Sequence, residues 1–280
     1  MMQILDGKAV AAFHRERIEQ RLDDLHERQI HPELAILLVG SDKPSAMYAK
    51  SMCKVACSMG LKAEIYTEPS TVRETELIAM IEHFNEQPSI FGILMMMPLP
   101  SHMNATRVIN CIDPRKDVDG LTDKSIADLF TGRPGFVPCT PRAVISILDY
   151  YHISLSGKEV AIVGRSNVVG KPLAQLCLNR NATVTHCHTR TRELSKVTQR
   201  ADILISAAGR AKLIRGDMIK PGAVVIDVGI NRWEGKTVGD VDFEEVKTIA
   251  GAITPVPGGV GAVTTMMIVE NVVCGTKQTE

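Results

Sequence analysis

Apolar residues recur at helical spacing from Val10 through Ile18 and Leu22 to Leu25, then close up into the run Leu34-Ala35-Ile36-Leu37-Leu38-Val39-Gly40. The first stretch predicts an amphipathic helix and the second a strand buried on both faces. The alternation repeats with a helix from Tyr48 to Met59, a strand from Lys62 to Tyr66, a helix from Arg73 to Glu86, and a strand from Phe91 to Met97 that Pro98-Leu99-Pro100 must stop. Helical patterns follow from Asn104 to Asn110 and from Ser125 to Phe130. The clusters Gly132-Arg133-Pro134-Gly135 and Pro138-Cys139-Thr140-Pro141 then mark a domain boundary. Beyond it the pattern predicts a helix at 142–150, strands at 158–163, 182–187, 202–206 and 223–227 with helices or loops between, and a terminal helix from Val263 to Val273. Such β/α alternation implies an α/β fold of parallel sheets covered by helices.

Two glycine-rich segments add candidate chemistry. The strand Val160-Ala161-Ile162-Val163 runs into Gly164-Arg165-Ser166-Asn167-Val168-Val169-Gly170-Lys171-Pro172, a turn that opens a helix with proline near its first turn. That arrangement offers helix N-terminal N–H groups to a pyrophosphate. The spacing is G-x-S-x-x-x-G rather than G-x-G-x-x-G, so the strand–turn–helix context carries the dinucleotide reading. An NAD site would place an acid at the end of the next strand, whereas Thr189-Arg190 stands there with Arg165 nearby, which favours a 2′-phosphate and hence NADP. The second segment, Ile253-Thr254-Pro255-Val256-Pro257-Gly258-Gly259-Val260-Gly261, is rigid yet bare. Its prolines fix φ, and its glycines let backbone N–H groups approach a flat or phosphorylated ligand. The plainer alternative is a tight turn between buried elements.

Composition narrows the partners. At 280 residues the chain suggests one large or two modest domains. Its 32 Lys and Arg balance 32 Asp and Glu, which supplies no basic field for nucleic acid and no polybasic patch for a membrane. The start carries no leader-like pattern and no apolar run approaches about 18 residues, so a cytoplasmic protein is expected. Seven cysteines, at 53, 57, 111, 139, 177, 187 and 274, form no C-x-x-C pair and argue for reduced thiols. His186-Cys187-His188 falls in a strand, where neighbours point to opposite faces, so no metal is expected there.

Tyr48, the run Asp117-Val118-Asp119-Gly120, Pro138-Cys139-Thr140-Pro141, the Gly164-Arg165-Ser166 turn, Asp227-Val228-Gly229-Ile230-Asn231 and Pro255-Val256-Pro257-Gly258-Gly259-Val260-Gly261 together resemble the bifunctional methylenetetrahydrofolate dehydrogenase/cyclohydrolase (FolD) family. The resemblance spans nearly the whole chain in order. It implies two domains: an N-terminal three-layer α/β catalytic domain over 1–140, completed by a C-terminal helix at about 265–280, and a Rossmann-like NADP-binding domain over 141–264. It further implies a tetrahydrofolate derivative bound in a cleft between them, and a homodimer. By the same resemblance Gly164, Arg165, Ser166, Val169, Thr189, Arg190, Ile230 and Thr264 hold NADP. Tyr48, Pro98, Leu99, Asp119, Pro257, Gly258 and Gly259 hold the folate, and the catalytic positions are Tyr48, Met52, Met96 and Asp119.

The family pattern breaks at two of those positions. The family carries a lysine four residues after its tyrosine, where this chain has Met52, and a glutamine on the neighbouring strand, where it has Met96. Lys50 and Lys54 lie about 200° and 240° around the helix from Tyr48, so neither substitutes. Two hydrogen-bonding partners replaced together by apolar side chains are physically coherent, because a lone buried glutamine would cost about 1–3 kcal/mol. Phe91, Pro44, Ser125 and Ala262-Val263 are further departures. Met96 should project toward the site, while Met95 and Met97 read as core filling. Tyr48 could instead be a packing residue and Asp119 a turn or cap residue. The expected activity is an NADP-dependent methylenetetrahydrofolate dehydrogenase with feeble or absent cyclohydrolase. Two alternatives stand beside it: a silent paralogue binding a nucleotide or partner, and an oxidoreductase for a more apolar substrate.

Overall fold

The computed structural model describes residues 2–275. From the N-terminus the elements are β1 (Gln3–Ile4), α1 (Gly7–Glu27), β2 (Glu33–Val39), α2 (Lys43–Ser58), β3 (Lys62–Glu68), α3 (Glu74–Glu86), β4 (Ile90–Met95), α4 (Ala105–Ile109) and α5 (Asp123–Thr131). They continue with α6 (Cys139–Tyr150), β5 (Glu159–Val163), α7 (Gly170–Asn179), β6 (Thr183–Cys187), α8 (Leu194–Thr198), β7 (Ile203–Ser206), β8 (Val224–Asp227), β9 (Asn231–Trp233), β10 (Lys236–Val238), α9 (Phe243–Val246), β11 (Ala252–Ile253) and α10 (Val260–Cys274). The chain divides into two compact units, one of residues 1–12 and 140–264 and one of residues 13–139 and 265–280. Of the C-terminal segment expected to complete the N-terminal domain, residues 276–280 lie outside the described residues.

The unit built on residues 13–139 has a three-stranded parallel sheet in the order β3-β2-β4. One face, with Ala35, Leu37, Val39, Ile93 and Met95, packs against Leu77, Ile81 and Phe84 of α3 and Val108 of α4. The buried stripe of α2, residues Ser45, Ala49, Met52 and Ala56, is absent from that cluster, and α2 lies against β2 and β3. Helix α2 begins earlier than the apolar pattern predicts. Asp42 caps it, accepting from the Ser45 N–H at 2.9 Å, and Pro44 occupies the first turn, where its missing N–H costs nothing. Strand β4 ends at Met95, two residues short of expectation. The core-filling reading therefore holds for Met95 but not for Met97, which lies beyond the strand and is 38% exposed.

The end of α3 is closed by a side chain from far along the chain. The Lys116 ammonium donates to the carbonyls of Phe84, Asn85 and Gln87 at 2.9, 2.7 and 2.8 Å. The carbonyls of Phe84 and Gln87 also accept from the Gln87 and Ile90 N–H groups, so the ammonium adds donors where helix carbonyls lose their regular partners, and a cation there complements the helix dipole. Lys116→Met keeps the stem and removes the donors. It should lower unfolding stability by about 1–3 kcal/mol in a denaturant titration, and a change within error would contradict this role.

The other unit holds a parallel sheet in the order β1-β11-β8-β7-β5-β6. Its first half starts at β5, moves outward to β6, and returns to β7 on the opposite side of β5, so the strand order reverses between β5 and β7. In doubly wound sheets that reversal opens a crevice at the carboxyl ends of the strands. Residues 1–12 group with this unit rather than with 13–139, because β1 adds to the sheet edge by pairing with β11. Strands β1, β9, β10 and β11 are two or three residues long, too short to show periodicity in the sequence. Among the described residues no helix is long and apolar enough to cross a membrane.

Candidate active site

In the unit of residues 13–139 and 265–280, the run Asp117-Val118-Asp119-Gly120 divides its labour residue by residue. Asp117 is buried and spent on local structure, accepting from the Leu121 and Thr122 N–H groups at 3.0 and 2.8 Å and from the Ser125 hydroxyl at 2.7 Å. Val118 is in the core, and its carbonyl accepts from the Cys139 thiol and the Asn271 amide. Gly120 has φ +65°, and a Cβ there would stand 2.7 Å from the Pro138 nitrogen and the Val137 carbonyl carbon. The turn-forming role considered for Asp119 is thus taken by Asp117, while Thr122 caps α5.

Asp119 faces Tyr48 and Cys139. The Cys139 backbone N–H hydrogen-bonds to its carboxyl and the thiol lies beside it, yet burial first and the charge of Asp117 second push its pKa up to about 7. Tyr48 is 37% exposed, but crowding around its hydroxyl pushes its pKa well above the usual phenol range. Asp119 and Cys139 add to the rise, and a hydrogen bond with Thr265 opposes it. The phenol therefore stays protonated across the neutral range, beside a carboxyl that titrates within it. Cys139 and Thr265 were not among the expected site residues. Cys139 carried a signal, since it sits in the Pro138–Pro141 motif; Thr265 lies in an apolar helical run with none.

One turn after Tyr48, Met52 is fully buried at 0% exposure. Met96 is 6% exposed, its N–H donates to the Leu37 carbonyl at 2.9 Å, and it continues the parity of Gly92 and Leu94, away from the cluster that holds Met95. Pro98 is exposed, whereas Leu99 packs against that same cluster. The Ser45 hydroxyl donates to the Met97 carbonyl at 2.9 Å and ties the start of α2 to the chain leaving β4.

In the other unit the Gly164 turn is fixed by close approach. A Cβ on Gly164 would lie 2.2 Å from the Ala207 carbonyl oxygen, and one on Gly170 2.2 Å from the Gly164 carbonyl oxygen. These are the two contacts, strand to turn and turn to helix, that let a phosphate-binding turn sit close to the sheet. The Ser166 hydroxyl accepts from the Val169 and Gly170 N–H groups at 3.1 and 3.4 Å, which leaves its proton for an anion. After β6, Thr189 and Arg190 are exposed on a turn in which the Arg190 N–H donates to His188 Nδ1 at 3.1 Å and the His188 N–H to the Thr191 hydroxyl at 2.8 Å. Among the described residues no carboxylate pairs with Arg165, Arg190 or the additional Arg192. The turn fits a dinucleotide, and these guanidiniums fit a 2′-phosphate.

Ile230, 71% exposed, lines a pocket with Pro257, Gly258 and Gly259. A position expected to touch cofactor and three expected to touch folate are thereby brought together, in a unit separate from that of Tyr48 and Asp119. Thr264 is buried, its hydroxyl donating to the Val260 carbonyl at 3.2 Å and lying 3.5 Å from the Thr140 hydroxyl.

A strand-order reversal with a glycine turn, in one chain with an α/β unit carrying a half-buried titratable carboxyl beside a phenol, defines a two-unit dinucleotide-binding protein of the oxidoreductase class. Residues 5–119 match the catalytic domain of tetrahydrofolate dehydrogenase/cyclohydrolase, and residues 138–280 match its NAD(P)-binding domain. The chain belongs to the tetrahydrofolate dehydrogenase/cyclohydrolase family. It is 46% identical to the bifunctional protein FolD of Bacillus subtilis over 99% of this chain and 98% of the relative. The crystal structure of the bifunctional FolD enzyme from Campylobacter jejuni superposes with a TM-score of 0.98 at 43% identity, covering 100% of both chains. The Trypanosoma brucei enzyme, solved with NADP cofactor and an inhibitor, gives 0.95 at 33% identity over 99% of this chain and 98% of that one.

Proposed function

We propose that this protein is an NADP-dependent 5,10-methylenetetrahydrofolate dehydrogenase that has lost the cyclohydrolase step. The observation that carries the reading is Met52: a fully buried apolar side chain one turn from Tyr48, where family members carry a lysine. The cofactor's contribution is to accept the hydride leaving the methylene carbon. Gly164 and Gly170 keep the turn close to the sheet, the Ser166 hydroxyl and the α7 N-terminus meet the pyrophosphate, and Arg190 with Arg165 meets the 2′-phosphate. Tyr48 and Asp119 orient the folate, with Pro98, Leu99 and the Pro257-Gly258-Gly259 turn as further contacts. Hydride loss needs orientation of two ligands and no proton from the protein. Adding water to the methenyl cation and opening the ring does need proton handling, and an apolar Met52 and Met96 remove the groups that would supply it.

The test is to titrate NADP⁺ and 5,10-methylenetetrahydrofolate separately, then together while following methenyl absorbance. Binding of both with turnover supports the dehydrogenase, and binding of nucleotide without turnover supports a silent paralogue. NADP⁺ should bind about tenfold or more tightly than NAD⁺, since a charge-assisted phosphate contact worth ~1.4 kcal/mol gives that ratio. Equal dissociation constants at moderate salt would remove the case for a phosphate site at Arg190.

A further inference from the structure

Among the buried charges the proposed reaction does not use, Asp240 stands out. It is 0% exposed, between β10 and α9, and its carboxylate meets hydrogen-bond donors rather than a cation. Oδ2 accepts from the Ala208 and Gly209 N–H groups at 2.6 and 3.1 Å and from the Ser206 hydroxyl at 3.2 Å. Oδ1 accepts from the Arg210 N–H at 2.8 Å and the Asn231 amide at 2.9 Å. Three successive backbone N–H groups thus converge on one carboxylate, a cradle that elsewhere in proteins holds an anion. Gly229 makes room for it, since a Cβ there would lie 2.2 Å from Asp240 Oδ1. Asp227 in turn holds Asp240 in place, accepting from its N–H at 2.9 Å.

A neutral side chain of the same size would avoid burying a charge, so what the carboxylate achieves is geometric: it locks two loops to each other. Those loops, Ser206–Arg210 and Asp227–Asn231, leave the carboxyl ends of β7 and β8. The strand order reverses between β5 and β7, the glycine turn follows β5, and the 2′-phosphate-facing Arg190 follows β6. The adenosine half of a dinucleotide therefore lies on the β5–β6 side, and the nicotinamide half on the side of β7 and β8.

We infer that Asp240 is a positioning residue for the nicotinamide half of the cofactor, acting through the two loops it joins. The inference rests on the NADP reading. It requires that disturbing Asp240 affect one half of the cofactor and spare the other, which a general loss of structure would not do.

The experiment measures NADP⁺ and 2′,5′-ADP, the adenosine-side fragment, binding to the wild type, Asp240→Asn and Asn231→Ala, together with dehydrogenase kcat. Asp240→Asn turns an amide N–H₂ toward donors. It should weaken NADP⁺ about tenfold or more and lower kcat while leaving 2′,5′-ADP within about twofold, and Asn231→Ala should shift the same ratio less. Equal weakening of both ligands, or no change in either, overturns the inference. Should Asp240→Asn fail to fold, an unchanged ratio in Asn231→Ala overturns it equally. A wild type that binds neither ligand would instead sink the cofactor reading.

Discussion

Hydrolysis of 5,10-methenyltetrahydrofolate by the unmodified protein is expected to run no faster than in buffer, and the double change Met52→Lys with Met96→Gln is expected to raise it by about 10²–10⁴-fold, the span of positioned acid–base catalysis. The two substitutions must be made together. Residue 52 lies on the stripe of Ser45, Ala49 and Ala56 that α2 buries, so a lone lysine would bring an ammonium into a fully buried position. An uncompensated buried charge costs about 3–5 kcal/mol, and the amine would escape part of that by losing its proton, hence its function. Met52→Lys alone should therefore lower stability and recover no hydrolysis. Glutamine at 96, on the sheet face away from the Met95 cluster, is the residue that the family resemblance pairs with the lysine, and its oxygen is expected to hold the ammonium. Following methenyl absorbance with each of these three proteins decides the matter. Hydrolysis by the unmodified protein well above the buffer rate would mean that another group handles the proton.

How much of this was legible in the sequence depends on how far apart the cooperating residues lie. The long elements were readable, because α1, α3 and the strands β2 to β8 carry their pattern over enough residues to show it, whereas β1, β9, β10 and β11 do not. So was the Gly164 turn, where local strand–turn–helix order stated the need for glycine that the approaches of Ala207 and Gly170 explain. Helix α2 was read five residues late, because its first turn is set by the Asp42 cap and Pro44 rather than by apolar spacing. Met97 was misread because strand parity was carried past the residue where β4 stops. Resemblance marked Asp119, but its environment was not legible: Asp117, Cys139 and Thr265 converge on the Asp119–Tyr48 pair from separate parts of the chain. The Asp240 cradle was invisible for the same reason, since its donors come from 206–210 and 231, and no local spacing links them.

The carboxyl of Asp119 gives the second large effect, and it has a definite sign. Its pKa in the folded protein is pushed up from the ordinary 3.8 to about 7. The native state therefore binds this proton more tightly than the unfolded chain. Its contribution to stability is greatest at acid pH and is lost as pH rises through the interval from about 4 to 7, because ionisation must then occur in a half-buried site beside Asp117. Asp119→Asn removes that term, so the variant should melt higher than the wild type at pH 8 and show the smaller difference near pH 5. Folate binding should respond in the opposite sense. If Asp119 grips the pterin as an ionised acceptor, affinity should strengthen as pH rises through about 7. Asp119→Asn should abolish that step and weaken binding at pH 8 about 10–100-fold, from the ~1.5–3 kcal/mol of a hydrogen bond to a charged group. A variant both more stable and less able to bind at pH 8 is what a carboxylate kept for its ligand produces. Folate affinity that is flat from pH 6 to about 8.5 in the wild type, or undiminished in Asp119→Asn, would take Asp119 out of the site.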